Sequence, residues 1–112
     1  MARLSTHVLD TARGTPAGGV AIDLDACEGS GRRRVQTLIT GMDGRAAGPD
    51  LDAGVYELTF HAGQYFRAAG VEMTDPPFLD EVVVRFGVAA AERHYHVPLL
   101  LSPYGYSTYR GS

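Results

Sequence analysis

The stretch Val55-Tyr56-Glu57-Leu58-Thr59-Phe60 decides the fold class, because its side chains alternate in character with a period of two. Successive side chains of a strand point to opposite faces, so the even-numbered Tyr, Leu and Phe face one way and the odd-numbered residues the other. Similar runs recur along the chain between turn signals. Asp43-Gly44 is a strong signal of this kind between two extended segments. The pattern predicts an all-β sandwich or barrel.

The other predicted elements are further short strands and one short helix. The segment Ala62–Ala69 departs from alternation, because its apolar residues Tyr65, Phe66 and Ala69 lie at helical spacing and Gly70 follows as a C-terminal cap. About eight strands are expected in all. Beyond Val55–Phe60, the predicted strands are Leu4–Leu9, Val20–Leu24, Val35–Thr40, Asp80–Val88, His94–Leu101 and Tyr106–Arg110. The stretch Asp25–Gly31 is predicted to be a loop, and no strand is assigned between the Asp43-Gly44 turn and Val55.

Size and composition limit the classes of protein that fit. The 112 residues are expected to form one domain, residues 1–112, because about 100–150 residues usually make one core. The formal net charge is −3, and the one tight basic run, Arg32–Arg34, is too short for a nucleic-acid footprint. The single cysteine, Cys27, allows no intrachain disulfide, and no apolar run approaches the ~20 residues of a membrane span. We therefore expect a cytoplasmic protein that binds neither nucleic acid nor membrane.

Pro98 lies inside the predicted strand His94–Leu101. Proline cannot donate to a sheet ladder, so within strands it is confined to edges or bulges. The pattern therefore predicts that this strand lies near an edge or is bulged at Pro98. Pairing with a second subunit is one way to cover such an edge, which is a first indication of an oligomer.

Few side chains are candidates for chemistry. His94 and His96 are two apart on a predicted strand and so share a face. Two ligands are too few for a zinc site, and two exposed histidines are the commoner interpretation. His7 shares a face with Ser5, and Arg45 follows a turn, where solvent exposure is the default. From the pattern alone a histidine acid–base site is possible, since histidine titrates near neutral pH, but it is not singled out.

Two longer segments carry a resemblance to a known family. The opening, Leu4-Ser5-Thr6-His7-Val8-Leu9-Asp10-Thr11-Ala12-Arg13-Gly14-Thr15-Pro16-Ala17, resembles the N-terminal signature of the 5-hydroxyisourate hydrolases, a transthyretin-related family. The ending, His94 to Ser112, resembles the other signature, and its terminal Tyr-Arg-Gly-Ser is absent from the hormone-carrying transthyretins. Between the ends, Thr40–Arg45 and Gly54–Leu58 match in the expected order.

The resemblance implies a fold, an assembly and a site. The fold is a prealbumin-like, eight-stranded β-sandwich with one short helix. The assembly is a homotetramer, a dimer of dimers, whose active sites lie in a channel where the dimers meet. The implied catalytic residues are His7, Arg45, His96 and Ser112, and the implied substrate-binding residues are His7, Arg45, Tyr109 and Arg110. No metal or cofactor is implied, and His61 and His94 keep a structural or surface interpretation.

The implied activity belongs to purine catabolism. Water adds to a ring carbonyl of 5-hydroxyisourate and the adjacent C–N bond breaks, giving 2-oxo-4-hydroxy-4-carboxy-5-ureidoimidazoline. Two histidines can supply the base and the acid near neutral pH, and an arginine can hold the developing oxyanion. The main alternative is a transthyretin-like carrier of an aromatic ligand. A non-catalytic interaction module and a metal-dependent hydrolase using His94 and His96 are the others.

Overall fold

The computed structural model describes residues 1–112, which form nine strands and one helix. The elements are β1 (Ala2–Asp10), β2 (Thr15–Pro16), β3 (Ala21–Glu28), β4 (Gly31–Ile39), β5 (Arg45–Leu51), β6 (Gly54–His61), α1 (Ala62–Ala68), β7 (Glu81–Val88), β8 (His94–Ser102) and β9 (Gly105–Thr108). The predicted all-β sandwich with one short helix is therefore correct, and the additional strand β2 is only two residues long. No helix is long and apolar enough to cross a membrane.

The strands form two sheets. In the first sheet β1 pairs in parallel with β8, and β8 pairs with β9. The other side of β1 is shared by β2 and β5, both antiparallel. The second sheet has the order β4-β3-β6-β7 and is antiparallel throughout. Because β1 lies between β5 and β8, the N-terminal strand is the centre about which the first sheet is arranged.

One hydrophobic core fills the space between the sheets. The even-numbered residues of β6 point into it, as the alternation predicts, and Leu58 and Phe60 are fully buried. Leu4 and Val8 of β1 meet them from the opposite sheet. Burial of a side chain the size of Phe or Leu contributes about 1.5–3 kcal/mol, so this core stabilises both sheets together.

The helix ends as its sequence predicts. Gly70 has a φ of +81°, and its N–H donates to the carbonyl oxygen of Arg67. The N–H of Val71 donates to the carbonyl oxygen of Phe66. These two bonds make a Schellman motif, for which glycine is favoured because it adopts positive φ without strain.

The outer face of the second sheet is covered by ion pairs. Glu57, in the middle of β6, is only 5% exposed. Its two carboxylate oxygens lie 3.1 Å from Arg32 Nη1 and 3.0 Å from Arg85 Nε. The odd-numbered side chains of β6 do point outward as predicted, but the neighbouring arginines of β4 and β7 shield this carboxylate from water.

The predicted loop Asp25–Gly31 is wrong. β3 and β4 are separated only by Gly29 and Ser30, and Gly29 has a φ of +59°, which suits a tight hairpin turn. The acidic residues that resembled a loop are strand residues on the outer face. Asp25 is held there by Arg34, with 2.6 Å between Oδ1 and Nε.

Pro98 lies near an edge of the first sheet, as the sequence predicts, because β8 is next to the edge strand β9. β8 is an interior strand, with β1 on one side and β9 on the other. His96 and Pro98 have the same parity, and the carbonyl of His96 faces the C-terminal segment, so the missing N–H of Pro98 also faces that segment. The β8–β9 ladder runs from Ser102 to Leu99, is interrupted at Pro98, and resumes as an isolated bridge between His96 and Gly111. Proline is tolerated because the interruption falls where β9 ends.

Candidate active site

The outer face of the first sheet brings together the three central residues of the predicted site. Along β1 the residues Ser5 and His7 point outward while Thr6 and Val8 are buried. Ser5 lies opposite His96 of β8, and His7 lies opposite Arg45 of β5. Three strands that are distant in sequence thus place two histidines and an arginine on one face.

The turn before β5 fixes Arg45 and His7 relative to each other. The N–H of Arg45 donates to Asp43 Oδ1 at 3.0 Å, and the N–H of Val8 donates to the Gly44 carbonyl oxygen at 2.8 Å. His7 Nε2 lies 2.9 Å from the carbonyl oxygen of Asp43. Because a carbonyl only accepts, His7 carries its proton on Nε2, and its Nδ1 is unprotonated in the neutral ring.

His96 lies at the centre of the cluster. Its Nδ1 is 2.8 Å from Ser5 Oγ, which leaves Nε2 free to act on a ligand. Beside it is an open cavity of about 260 Å³ on the outer face of the sheet. The cavity is lined by Ser5, Thr6, Asp43, Arg45, Ala46, Ala47 and His96.

The surroundings of His96 favour its neutral form. Burial is the largest cause that lowers the pKa of His96, followed by the positive charge of Arg45 and then by His94 and His7. A hydrogen bond with the backbone of Ser5 acts in the opposite direction without reversing the shift. His96 is therefore available as a base at neutral pH, next to a cation that can receive negative charge.

The C-terminal segment approaches His96 from the other side. The N–H of Gly111 donates to the His96 carbonyl oxygen at 2.8 Å. Tyr109 is 60% exposed on the same stretch, and Ser112 follows at the exposed chain end. The terminus is thus attached to the strand that carries His96, although most of its side-chain surface is open.

Arg110 does not join the cluster. Its guanidinium lies 4.2 Å from the centre of the Tyr95 ring, and its Nη2 contacts Glu92 at 3.3 Å and the His94 carbonyl oxygen at 3.1 Å. These contacts direct the side chain away from Arg45 and His7. In this structure Arg110 anchors the C-terminal segment to β8.

The remaining histidines have different surroundings. His61 belongs to the second sheet, where its Nε2 lies 2.9 Å from Asp23 Oδ2. The hydrogen bond from His61 is the largest cause that lowers the pKa of Asp23. The rings of His94 and His96 lie nearly parallel with centres 6.3 Å apart. No group of three or more His, Cys, Asp or Glu side chains is arranged to hold a metal ion, so the pair offers two ligands at most.

Ser5 is the member of the site that the sequence did not single out. Its Oγ contacts both His96 and His94, at 2.8 and 3.2 Å. The sequence feature that could have identified Ser5 is the alternation of β1, which places Ser5 on the same face as His7. The pairing of β1 with β8, which makes that position significant, is a long-range contact that the sequence pattern does not show.

The fold and the site define a small two-sheet β-sandwich with a histidine–arginine acid–base cluster on the outer face of one sheet, beside its own C-terminal segment. This chain belongs to the HIUase/Transthyretin family, whose family profile matches residues 4–111. The resemblance found in the sequence is thereby confirmed.

Individual relatives cover the whole chain. A protein of Rhizobium meliloti named 5-hydroxyisourate hydrolase 2 is 60% identical over 115 residues, which covers 98% of this chain and 96% of the relative. The structure of Klebsiella pneumoniae 5-hydroxyisourate hydrolase is similar with a TM-score of 0.84 and 40% identity, covering all of both chains. Sea bream transthyretin, solved in complex with thyroxine, is similar with a TM-score of 0.87 and 31% identity, covering 96% of this chain and 93% of the other. The transthyretin-like sandwich predicted from the sequence is therefore correct.

Proposed function

We propose that this protein is a hydrolase of purine catabolism that opens the ring of 5-hydroxyisourate. The observation that carries the proposal is the position of His96, whose surroundings keep it neutral beside Arg45 in the cavity of the first sheet. The relatives named as 5-hydroxyisourate hydrolases match the chain over its full length. The product is 2-oxo-4-hydroxy-4-carboxy-5-ureidoimidazoline.

The geometry supports an assignment of roles. His96 Nε2 takes a proton from water, and the hydroxide adds to a ring carbonyl carbon of the substrate. Arg45 donates to the oxygen as it becomes negatively charged, because forked charge-assisted hydrogen bonds strengthen as the charge develops. Collapse of the tetrahedral species breaks the C–N bond, and the departing nitrogen receives a proton from a histidine.

His7 has a separate role in this account. Its Nε2–H is engaged by the Asp43 carbonyl, so Nδ1 is the atom left to accept a hydrogen bond from substrate or water. Tyr109 and Ser112 belong to the segment that approaches His96 from the C-terminal side, and we assign them to substrate binding and catalysis, respectively. Arg110 contributes to binding by holding that segment in place. No step requires a metal or an organic cofactor.

The assembly that we propose is a homotetramer built as a dimer of dimers. Three facts support it: the cluster lies on an open sheet face, β7 and β9 are edge strands with one unpaired side, and Tyr109 is exposed on the segment that pairs with His96. Pairing of free edges with a second copy covers them, and a facing sheet turns the open cavity into a channel. Light scattering should give the mass of four 12.0 kDa chains. The cytoplasmic location remains a prediction from the sequence.

The test of the function is a decay assay. Urate oxidase acting on urate supplies 5-hydroxyisourate, and its near-ultraviolet absorbance is followed after this protein is added. We expect decay well above the spontaneous rate, unchanged after exhaustive chelation. Decay at the spontaneous rate with a folded tetramer would favour the carrier alternative, and loss of activity with chelator would favour a metal-dependent hydrolase.

A further inference from the structure

Ser5 Oγ lies between two imidazole rings. It is 2.8 Å from His96 Nδ1 and 3.2 Å from His94 Nε2. The arrangement follows from the sheet, because His94 and His96 share a face of β8 and Ser5 lies opposite His96 on the parallel neighbour β1. The mechanism above uses only the other ring nitrogen of His96 and leaves this contact without a role.

A hydroxyl has one proton, so it donates to one ring nitrogen and accepts from the other. If Ser5 donates to His94, then His96 carries its proton on Nδ1 and its Nε2 is a free base. If Ser5 donates to His96, then His96 carries its proton on Nε2 and His94 donates from its own Nε2. The orientation of one hydroxyl therefore couples the protonation of the two rings.

The two rings differ in what surrounds them. His96 is half-buried, with Arg45 and His7 as charged or titratable neighbours on the adjoining strands. His94 is exposed and lines an open cavity of about 530 Å³ with Arg3, Asp50, Arg93 and Met1, while Arg110 contacts its backbone carbonyl. A positive charge is better solvated on the exposed His94 ring, in contact with water, than on the half-buried His96 ring beside Arg45.

We propose that Ser5 and His94 form a proton relay that carries the charge generated at His96 out to the solvent-exposed ring during hydrolysis. Both are positioning residues, since they act on the reaction through His96. The proposal rests on the proposed function and adds to it two residues that act on the reaction through His96.

The proton transfers of the relay balance over one catalytic cycle. His96 Nε2 takes a proton from water, its Nδ1 proton passes to Ser5 Oγ, and the original hydroxyl proton passes to His94 Nε2. His96 is then neutral with its proton on Nε2, and His94 is the imidazolium. When Nε2–H gives its proton to the departing nitrogen, Nδ1 regains one from Ser5, and Ser5 regains one from His94. All three groups return to their starting states.

Kinetics on the full protein test the relay. Ser5→Ala and His94→Gln should each lower kcat about tenfold to a hundredfold, within the range for loss of assisted proton transfer, with KM little changed. Ser5→Thr keeps the hydroxyl and should recover most of the rate. The double variant should be no slower than Ser5→Ala, because the two changes interrupt one path. His61→Gln, on the other sheet, is the matched control and should keep wild-type kcat.

The pH profile separates a relay from mere support of the His96 ring. Gln at position 94 can still donate to Ser5 but cannot take up a proton. Loss of the relay should therefore lower kcat in His94→Gln on the plateau above the acid limb, whereas a change confined to the acid limb would reflect only the lost charge that lowers the pKa of His96. Wild-type kcat on that plateau in His94→Gln would show that Ser5 only supports the ring, and would overturn the proposal.

A measurement made without substrate separates the test of the relay from the test of the proposed function. Nitrogen NMR of the imidazoles should show His96 moving its proton from Nδ1 to Nε2 as His94 titrates, and Ser5→Ala should abolish that coupling. A His96 tautomer that stays constant through the His94 titration would contradict the relay even in an active enzyme. If the wild-type protein shows the coupling but does not hydrolyse 5-hydroxyisourate, the proposed function fails and the relay no longer serves it.

Discussion

The backbone N–H of Gly111 donates to the carbonyl oxygen of His96 at 2.8 Å, and the two residues approach closely enough that only glycine fits. A Cβ at position 111 would lie 2.5 Å from His96 Cδ2 and 3.4 Å from Pro98 Cγ. The C-terminal segment therefore rests on the ring that the mechanism uses as a base. The end of the chain and the centre of the site are one structural unit.

Gly111→Ala should damage turnover much more than stability. The new methyl group must displace either the His96 ring or the terminal segment, and misplacement of a catalytic group by about 1 Å can cost on the order of 100-fold in rate. The free energy of unfolding should change by less than about 1 kcal/mol, because Gly111 is joined to β8 only by an isolated bridge outside the core. Steady-state kinetics and thermal unfolding measure both. Gly87→Ala on β7, where a Cβ meets nothing within 4 Å, is the control; equal kcat for the two variants would contradict this account.

His96 should titrate below the ordinary histidine pKa of about 6.5. Burial lowers its pKa first and the Arg45 charge second, so Arg45→Gln should raise the pKa of His96 towards the ordinary value. NMR titration of the ring measures the shift, with Arg67→Gln on the helix as the control. A His96 pKa that does not rise in Arg45→Gln would show that Arg45 does not act on the ring.

The same shift has a defined consequence for stability. Since the folded-state pKa of His96 is lower than the unfolded-state value, the unfolded chain binds more protons at pH values between the two. The contribution of His96 to the free energy of unfolding is therefore present above the unfolded-state pKa and is lost as the pH falls below it.

Gly44→Ala should destabilise the turn that positions Arg45. Gly44 has a φ of +78°, and a Cβ there would collide with the Val8 carbonyl oxygen and lie 3.1 Å from Pro16 Cβ. We expect a loss of about 2–4 kcal/mol, combining left-handed strain with overpacking. Gly14→Ala carries a similar φ of +73° with nothing within 4 Å, and should lose only about 1 kcal/mol. Chemical denaturation compares them, and equal losses would show that the collision is relieved without cost.

Thr40→Val should reveal a buried polar contact that supports the same turn. Thr40 is 3% exposed, and its Oγ1 donates to the Ala17 carbonyl oxygen at 2.7 Å and accepts from the Val20 N–H at 2.9 Å. Valine has a similar shape but leaves both backbone groups unpaired, at about 1–3 kcal/mol each. Exposed Thr37→Val should change the unfolding free energy by no more than about 0.5 kcal/mol. Similar denaturation midpoints for the two variants would contradict this role of Thr40.

The elements that were predicted correctly from the sequence are those with a clear local pattern. The alternation of Val55–Phe60 and the Gly70 cap of the helix are local signals, and both match the structure. The strand Arg45–Leu51 was missed because it contains Gly48 and Pro49 and has no alternating pattern. This strand pairs with β1 alone, so it is an edge strand in which a proline is tolerated. Gly48 allows its backbone to approach Leu4 closely.

The candidate site could likewise be predicted only in part from the sequence. His7, Arg45 and His96 came from resemblance rather than from pattern, and the sheet register then explains how they meet. The role of Ser5 depends on a parallel pairing between strands about 90 residues apart in sequence, as the Ser5–His96 separation of 91 shows. Local sequence patterns do not predict such a pairing. Bringing together residues so far apart in sequence costs chain entropy, and only the packing of the whole core compensates that cost.

The central claim is that His96 is the base of a hydrolytic site, and His96→Asn tests it most directly. Asparagine keeps a polar side chain of similar size but cannot take a proton from water near neutral pH. The decay of 5-hydroxyisourate should then slow by about 100-fold or more in kcat, while circular dichroism and the oligomeric mass stay as in the wild type. A His96→Asn protein that folds, assembles and still turns over near the wild-type rate would contradict the account.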